Sequence, residues 1–143
     1  MVASIGSAFL AFCVILTMSP VRGMQVLPSC PASEGRQLPA HIRESIFVHV
    51  DVNMKKNPSA SQLYKCDLEN LAARRILNPT ANPLPAEAKE LKAEGAWHND
   101  FIKDTAKSWS TELEEVRSKR HFGCFYIVSG EQEKIAKLAC VFQ

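Results

Sequence analysis

The stretch that decides the fold is HFGCFYIVSGEQEKIAKLACVF, residues 121–142. Two segments rich in β-branched and aromatic residues, 121–128 and 134–142, flank a turn that contains Ser129 and Gly130. This pattern predicts a β-hairpin whose loop is longer than the tightest type. If the two strands pair about a centre near residue 132, two cysteines of this stretch lie opposite each other, within disulfide reach.

The amino-terminal residues 1–23 (MVASIGSAFLAFCVILTMSPVRG) have the features of a secretory signal peptide. An uncharged apolar run over residues 5–18 is followed by Pro20, and Val21 and Gly23 supply the small residues of a cleavage site. The apolar run is shorter than the roughly 20 residues needed to span a bilayer. We therefore expect cleavage after Gly23 and export of the chain, with an uncleaved membrane anchor as the alternative.

Cleavage would leave four of the five cysteines, an even number that suits an oxidising compartment. Four cysteines allow three connectivities, and the sequence alone does not choose among them rigorously. The predicted hairpin favours a bond between Cys124 and Cys140, which leaves Cys30 for Cys66.

The charge balance excludes a nucleic-acid footprint, which requires a basic surplus on one face. The chain of 143 residues has 17 Lys and Arg against 15 Asp and Glu, and losing Arg22 with the signal peptide leaves 16 against 15. A hydrophobic fraction of 46% is ordinary for a globular protein, and the length suits one small domain.

The mature chain begins with residues 24–40, an expected extended arm that is rich in proline and pinned by Cys30. Residues 41–56 fit both a helix face and a strand alternation, so periodicity does not decide between them. A helix is predicted over residues 64–76, with Ser59 or Ser61 as its cap.

Three further segments complete the chain before the hairpin. Residues 78–86 (NPTANPLPA) form a proline-rich loop, residues 86–94 are predicted as a short polar helix, and residues 99–119 as a long amphipathic one.

A basic cluster of Arg117, Lys119 and Arg120 lies at the end of the predicted 99–119 helix. Its simplest role is a favourable interaction with the helix C-terminal dipole, together with solubility. The alternative is a surface-binding site for sulfated glycans or an anionic membrane surface.

No catalytic or metal-binding site emerges from the remaining residues. His121 close to Cys124 could suggest a nucleophile or half a metal site, but a disulfide explains the cysteine better in an exported chain. His98 near Asp100 and Asp104 is expected on a solvated helix face. We therefore predict no catalytic residue, no bound metal and no cofactor.

Several short motifs, in their order and spacing, resemble secreted members of the CAP superfamily (cysteine-rich secretory and pathogenesis-related proteins). LYKCDLENLA (63–72) is similar to that family's L-x-Y-x-C-D-L-E-x-x-A helix start, and AKSWSTE (106–112) to its A-x-x-W-x-x-E helix. FGC (122–124) and ACVF (139–142) resemble its closing strands, and residues 43–49 stand where it has its first helix. The resemblance therefore implies that the ambiguous 41–56 segment is helical.

Two departures from the superfamily pattern bear on function. The G-H-Y-T-Q type segment, with two His and two Glu in a central cleft, is missing, and so is a G-E-N motif. No catalytic or metal-binding residue is therefore carried over. The reduced pattern most resembles sporozoite surface antigens of coccidian parasites, without the spacer and hydrophobic tail of a lipid-anchor signal.

The sequence therefore predicts an α+β, CAP-like sandwich over residues 41–143. Three or four helices pack on a small antiparallel sheet that ends in a C-terminal hairpin, with two disulfides. The expected role is a non-enzymatic secreted or surface-associated parasite antigen that binds a host protein or an anionic glycan. Alternatives are a secreted protease inhibitor that uses the 78–86 loop or another secreted effector, and a degenerate CAP-type enzyme-like protein. We expect a monomer with no membrane span in the mature chain.

Overall fold

The computed structural model describes residues 26–55 and 62–143, so the predicted signal peptide lies outside the described residues. Four helices and four strands follow one another in these ranges. They are α1 (Ala40–Asn53), β1 (Leu63–Tyr64), α2 (Cys66–Leu77), β2 (Lys89–Ala96), α3 (Phe101–Ser108), α4 (Ser110–Glu115), β3 (His121–Ser129) and β4 (Ile135–Phe142).

The predicted hairpin is confirmed in its strands and its register. β3 and β4 are antiparallel, and Cys124 pairs with Cys140 in the ladder. The structure joins these two cysteines by a disulfide, and a second disulfide joins Cys30 to Cys66. Because Cys66 begins α2, the second bond ties the amino-terminal arm to that helix.

The sheet is mixed, where the sequence predicted an antiparallel one. Its strand order is β1-β3-β4-β2, and the two-residue strand β1 runs parallel to β3. A parallel pair needs a crossover connection, and the chain between β1 and β3 supplies it through α2, β2, α3 and α4. Such long-range pairing of two residues leaves no periodic signal in the sequence.

The predicted helix over residues 86–94 is wrong, because residues 86–88 belong to a turn and the stretch from residue 89 onward lies in strand β2. Its Ala, Glu, Lys and Leu residues favour helix intrinsically, and tertiary pairing overrides that preference. All eight residues of β2 pair with β4, from Lys89 with Phe142 to Ala96 with Ile135. Leu91 is buried between charged neighbours, which is the period-2 pattern of a half-buried strand.

The long helix predicted over residues 99–119 is instead two short helices, α3 and α4, that meet at Trp109. The backbone of Trp109 leaves helical geometry, and its buried side chain belongs to the core. Helix α1 covers residues 41–53 of the ambiguous segment, as the resemblance implied, and residue 56 lies outside the described residues. Helix α2 begins after Lys65, so neither predicted serine caps it, and both serines lie outside the described residues.

The core lies on both faces of the sheet. On one face, Phe122 of β3 stacks on Phe47 of α1 at 5.7 Å between ring centroids, and Tyr126 lies 6.1 Å from Phe101 of α3. On the other face, the backbone of α2 packs directly against Gly123, where no side chain intervenes. This close approach sets the depth at which α2 sits on the sheet.

Candidate functional site

The predicted basic cluster lies in the basic turn, our name for residues 116–120, which connects α4 to β3. Arg117 and Arg120 are exposed, whereas Lys119 is half-buried. The Lys119 ammonium donates a hydrogen bond to the Glu87 carbonyl at 2.6 Å, in the segment before β2. The structure therefore presents two arginines to solvent and uses the lysine as an anchor.

A buried glutamine holds the basic turn in place. Gln62, whose side chain is 2% exposed, donates from Nε2 to the Val116 carbonyl at 3.1 Å and to the Lys119 carbonyl at 2.6 Å. The Lys119 backbone N–H closes the turn on the Val116 carbonyl at 3.0 Å. These bonds preorganise the backbone that carries the two arginines. No sequence pattern points to Gln62, because its partners lie more than 50 residues away along the chain.

The two arginines have no acidic partner within ion-pair distance among residues 26–55 and 62–143. The nearest carboxylates along the chain, Glu114 and Glu115, each pair with a lysine from another segment. Helix α4 ends at Glu115, so the arginines follow the helix terminus rather than lying on it. Their charge is therefore available to an external anion.

The second charged feature is a buried network that the sequence analysis missed. Arg43 of α1 makes a two-pronged ion pair with Glu69 of α2, from Nε to Oε2 at 2.7 Å and from Nη2 to Oε1 at 2.9 Å. Arg43 Nη2 also donates to the Leu38 carbonyl at 3.3 Å, and the Tyr64 hydroxyl donates to Glu69 Oε2 at 2.6 Å. The Cys124 backbone N–H donates to the Tyr64 oxygen at 3.3 Å.

This network is structural in character, because water hardly reaches it. The hydrogen bond to Glu69 raises the pKa of Arg43 above its usual value, against the lowering effect of burial. Burial, and then the negative charge of Glu69, raise the pKa of the Tyr64 hydroxyl far above its usual value. Both groups therefore keep their protons at neutral pH and bind α1, β1, α2 and β3 together.

Among the described residues, the cavities at two places on the domain differ in chemistry from the basic turn. A cavity of about 460 Å³ lies between the end of α2 and β2, and its cations are compensated by acids. Arg75 pairs with Glu90, and Lys137 with Glu94 at 3.3 Å. A second cavity of about 400 Å³ lies between the arm and α1, with Leu27, Phe47 and Val48 among its lining.

The residues weighed for catalysis or metal binding are dispersed. Cys124 is fully buried in a disulfide, so the structure offers no thiol beside His121. His98 Nδ1 lies 4.0 Å from Asp104 Oδ2, and both side chains are largely exposed. In the part of the chain that the structure describes, no three His, Cys, Asp or Glu side chains cluster in a way that could hold a metal ion.

The proline-rich loop over residues 78–86 is held by hydrogen bonds from within. The Asn78 side-chain oxygen accepts from Thr80 at 2.9 Å and from the Ala81 N–H at 3.2 Å. The Asn82 amide donates to the Asn78 carbonyl at 2.8 Å, and Arg75 donates to the carbonyls of Pro79 and Asn82. Residues 78–82 of the loop therefore have a defined shape, and most residues of the loop are exposed. None of the helices in the described ranges combines the length and the apolar character of a membrane span.

Comparison with known proteins gives one family and several similar structures. A family model described as "Ancylostoma-associated secreted protein related" matches residues 30–142. The fold is similar to a structure titled "Manganese-bound Ac-ASP-7", an Ancylostoma-secreted protein, with a TM-score of 0.55 at 16% identity over 82% of this chain and 76% of that one. It is also similar to "Hookworm Platelet Inhibitor", with a TM-score of 0.51 at 17% identity over 80% of this chain and 74% of that one.

No curated protein matches the sequence. The family and the structural neighbours together confirm the CAP-like α+β fold. They carry hookworm names, and the narrower resemblance to coccidian antigens remains a prediction.

Proposed function

Because the chain belongs to the Ancylostoma-associated secreted protein related family, we propose that it is a secreted, non-enzymatic protein that binds anionic host glycans through its basic turn. The observation that carries the proposal is the pair of exposed arginines without acidic partners on a rigidly held turn. The guanidinium group suits this role, since its planar fork binds sulfate or carboxylate groups through paired hydrogen bonds.

The preorganised backbone of the turn favours binding over simple solubility. A surface cation on a mobile loop loses side-chain and backbone freedom when it binds, and that loss weakens the complex. Here the hydrogen bonds from Gln62 already hold the backbone of the turn, and the bond from Lys119 to the Glu87 carbonyl ties the turn to the segment before β2. The arginine side chains alone remain to be ordered by a ligand.

Heparin affinity chromatography tests this proposal. We expect the secreted protein to be retained and the double variant Arg117→Ala/Arg120→Ala to elute at lower salt, because exposed charge interactions are screened. The matched control is Arg74→Ala/Lys103→Ala, which removes two exposed positive charges from other faces. Equal retention of the double variant and the control would show that net charge, and not the turn, governs binding.

Secretion is part of the same proposal, and the family description and the two disulfides support it. Intact mass of the protein released by eukaryotic cells, alkylated without reduction, tests it. We expect a chain that begins at Met24 and has no alkylated thiol. A cell-associated protein that retains residues 1–23 would contradict cleavage and indicate a membrane anchor.

Protease inhibition is the second candidate function, favoured by the hydrogen bonds that give residues 78–82 of the 78–86 loop a defined shape. A protease inhibitor presents an exposed segment in one conformation, which lowers the entropy lost on binding. Replacing residues 80–85 with Gly and Ser should abolish any inhibition of serine or cysteine proteases. Unchanged inhibition in that variant, or none in the unaltered protein, would reject this candidate.

A further inference from the structure

Strand β2 forms an open edge of the sheet. The strand order β1-β3-β4-β2 leaves β2 paired with β4 on one side, and no other strand of the described ranges lies on its outer side. An eight-residue edge is long enough to serve as a template for another strand.

The hydrogen bonds between β2 and β4 show which residues of β2 direct their backbone N–H and C=O groups toward the open edge. The Trp97 N–H donates to the Lys134 carbonyl at 2.8 Å, so the backbone of Trp97 faces β4. In an antiparallel ladder, the backbone N–H and C=O groups of successive residues point alternately to one side of the strand and to the other. Those of Leu91 therefore also point toward β4, whereas those of Lys92 and Glu94 point toward the open edge. The 4.0 Å Cα spacing of Cys124 and Cys140 fits a non-hydrogen-bonded pair between β3 and β4. The backbone groups of Cys140 therefore point to β2 and its partner Leu91, which agrees with the pattern derived from Trp97.

The side chains along this edge alternate in charge. Lys92 and Glu94 are 53% and 61% exposed, and each has one partner within the chain: Lys92 lies 3.7 Å from Glu90, and Glu94 lies 3.3 Å from Lys137. Glu90 is only 5% exposed and is also ion-paired to Arg75. Charges on an edge usually discourage pairing, because like charges meet across the new ladder. In an antiparallel pair of identical strands, however, this alternation brings opposite charges together in one register.

We propose that two copies of this chain pair through β2, antiparallel, about a two-fold axis at Ala93. Lys92 of one copy then lies opposite the partner's Glu94, and the symmetry repeats the contact. Both residues present outward backbone groups, so the ladder hydrogen bonds form at these same positions. If the two-fold axis passes through Lys92 instead, Lys92 lies opposite the partner's Lys92, and Glu90 lies opposite the partner's Glu94. Repulsion between these like charges disfavours that register.

The proposal replaces the expectation of a monomer and is independent of glycan binding. Pairing of identical edges is isologous and closes at two copies. The product is a continuous eight-stranded sheet, four strands from each copy.

Charge reversal tests both the interface and its register. In sedimentation equilibrium of the secreted protein we expect a dimer whose dissociation constant rises at least about tenfold in Lys92→Glu and in Glu94→Lys. The double variant should dimerise more tightly than either single variant, because opposite charges again face each other across the two copies. It should remain weaker than the unaltered protein, because the exchange places like charges beside Glu90 and Lys137 within each copy. An equimolar mixture of the two single variants should form a heterodimer, which no general folding defect would produce.

Lys103→Glu, on the exposed face of α3, is the matched control for a reversed charge and should leave dimerisation unchanged. Circular dichroism of each variant checks that the fold is retained. An unaltered protein that stays monomeric at the highest concentration examined overturns the proposal. So do single variants that dimerise as well as the control, or a mixture of the two that fails to associate.

Discussion

Replacing Gly123 with alanine should destabilise the domain strongly, because a backbone occupies the space that a side chain would need. An added Cβ would lie 2.3 Å from the Glu69 nitrogen, 2.6 Å from the Leu68 carbonyl carbon and 2.6 Å from the Lys65 carbonyl oxygen. None of these atoms can rotate away, so the start of α2 must move from the sheet. That movement also displaces Glu69 from the buried ion pair with Arg43.

The magnitude follows from two opposing effects. Overpacking of a well-packed core costs about 1–3 kcal/mol. Alanine is otherwise favoured over glycine within a strand by about 0.5–1 kcal/mol. Since the obstruction is backbone and the buried ion pair is disturbed, we expect Gly123→Ala to lower the free energy of unfolding by about 2–3 kcal/mol.

Urea unfolding, followed by tryptophan fluorescence and circular dichroism, measures this change. The matched control is Gly95→Ala in β2, where the nearest atom to an added Cβ is Phe101 Cε2 at 3.7 Å, an ordinary contact. The control should lie within about 0.5 kcal/mol of the unaltered protein or be slightly more stable. A Gly123→Ala variant as stable as the control would refute the close packing of α2 on the sheet.

Three further predictions concern the buried polar groups. Tyr64→Phe removes the hydroxyl that donates to the Glu69 carboxylate, and urea unfolding should show a loss of about 1.5–3 kcal/mol. The free energy of unfolding should fall above about pH 10, because a tyrosine ionises there in the unfolded chain, whereas the Tyr64 pKa is raised in the folded chain. Tyr64→Phe should weaken this pH dependence. Gln62→Ala removes the bonds to the Val116 and Lys119 carbonyls, so hydrogen exchange of the Lys119 amide should accelerate and heparin retention should weaken. Unchanged stability of Tyr64→Phe, or unchanged exchange in Gln62→Ala, would contradict the structural role of the residue concerned.

The hairpin could be predicted from sequence because its signals are local. Apolar, β-rich residues flank Ser129 and Gly130, and strand pairing about a centre near residue 132 is enough to bring Cys124 opposite Cys140. The second disulfide then followed from the two remaining cysteines. Periodicity leaves helix α1 ambiguous between helix and strand, and only the family resemblance predicts it as a helix.

Strand β2 and the buried network could not be predicted, because both depend on distant partners. The segment KELKAEGA has helix-forming residues, and only pairing with β4 makes it a strand. Arg43 and Glu69 are 26 residues apart, and each would ordinarily be assigned to the surface. In the basic turn, residue type identified the cations, but only the fold separates the exposed arginines from the anchored Lys119.

The most direct test of the glycan-binding proposal is a map of ligand contacts along the backbone. Amide chemical shifts of the isotope-labelled secreted protein would be followed during titration with a heparin-derived oligosaccharide. We expect saturable shifts that are largest in residues 116–121 and that disappear in Arg117→Ala/Arg120→Ala. Largest shifts around Arg74 and Lys92, or no saturable shift at all, would contradict the assignment of the basic turn as the binding site.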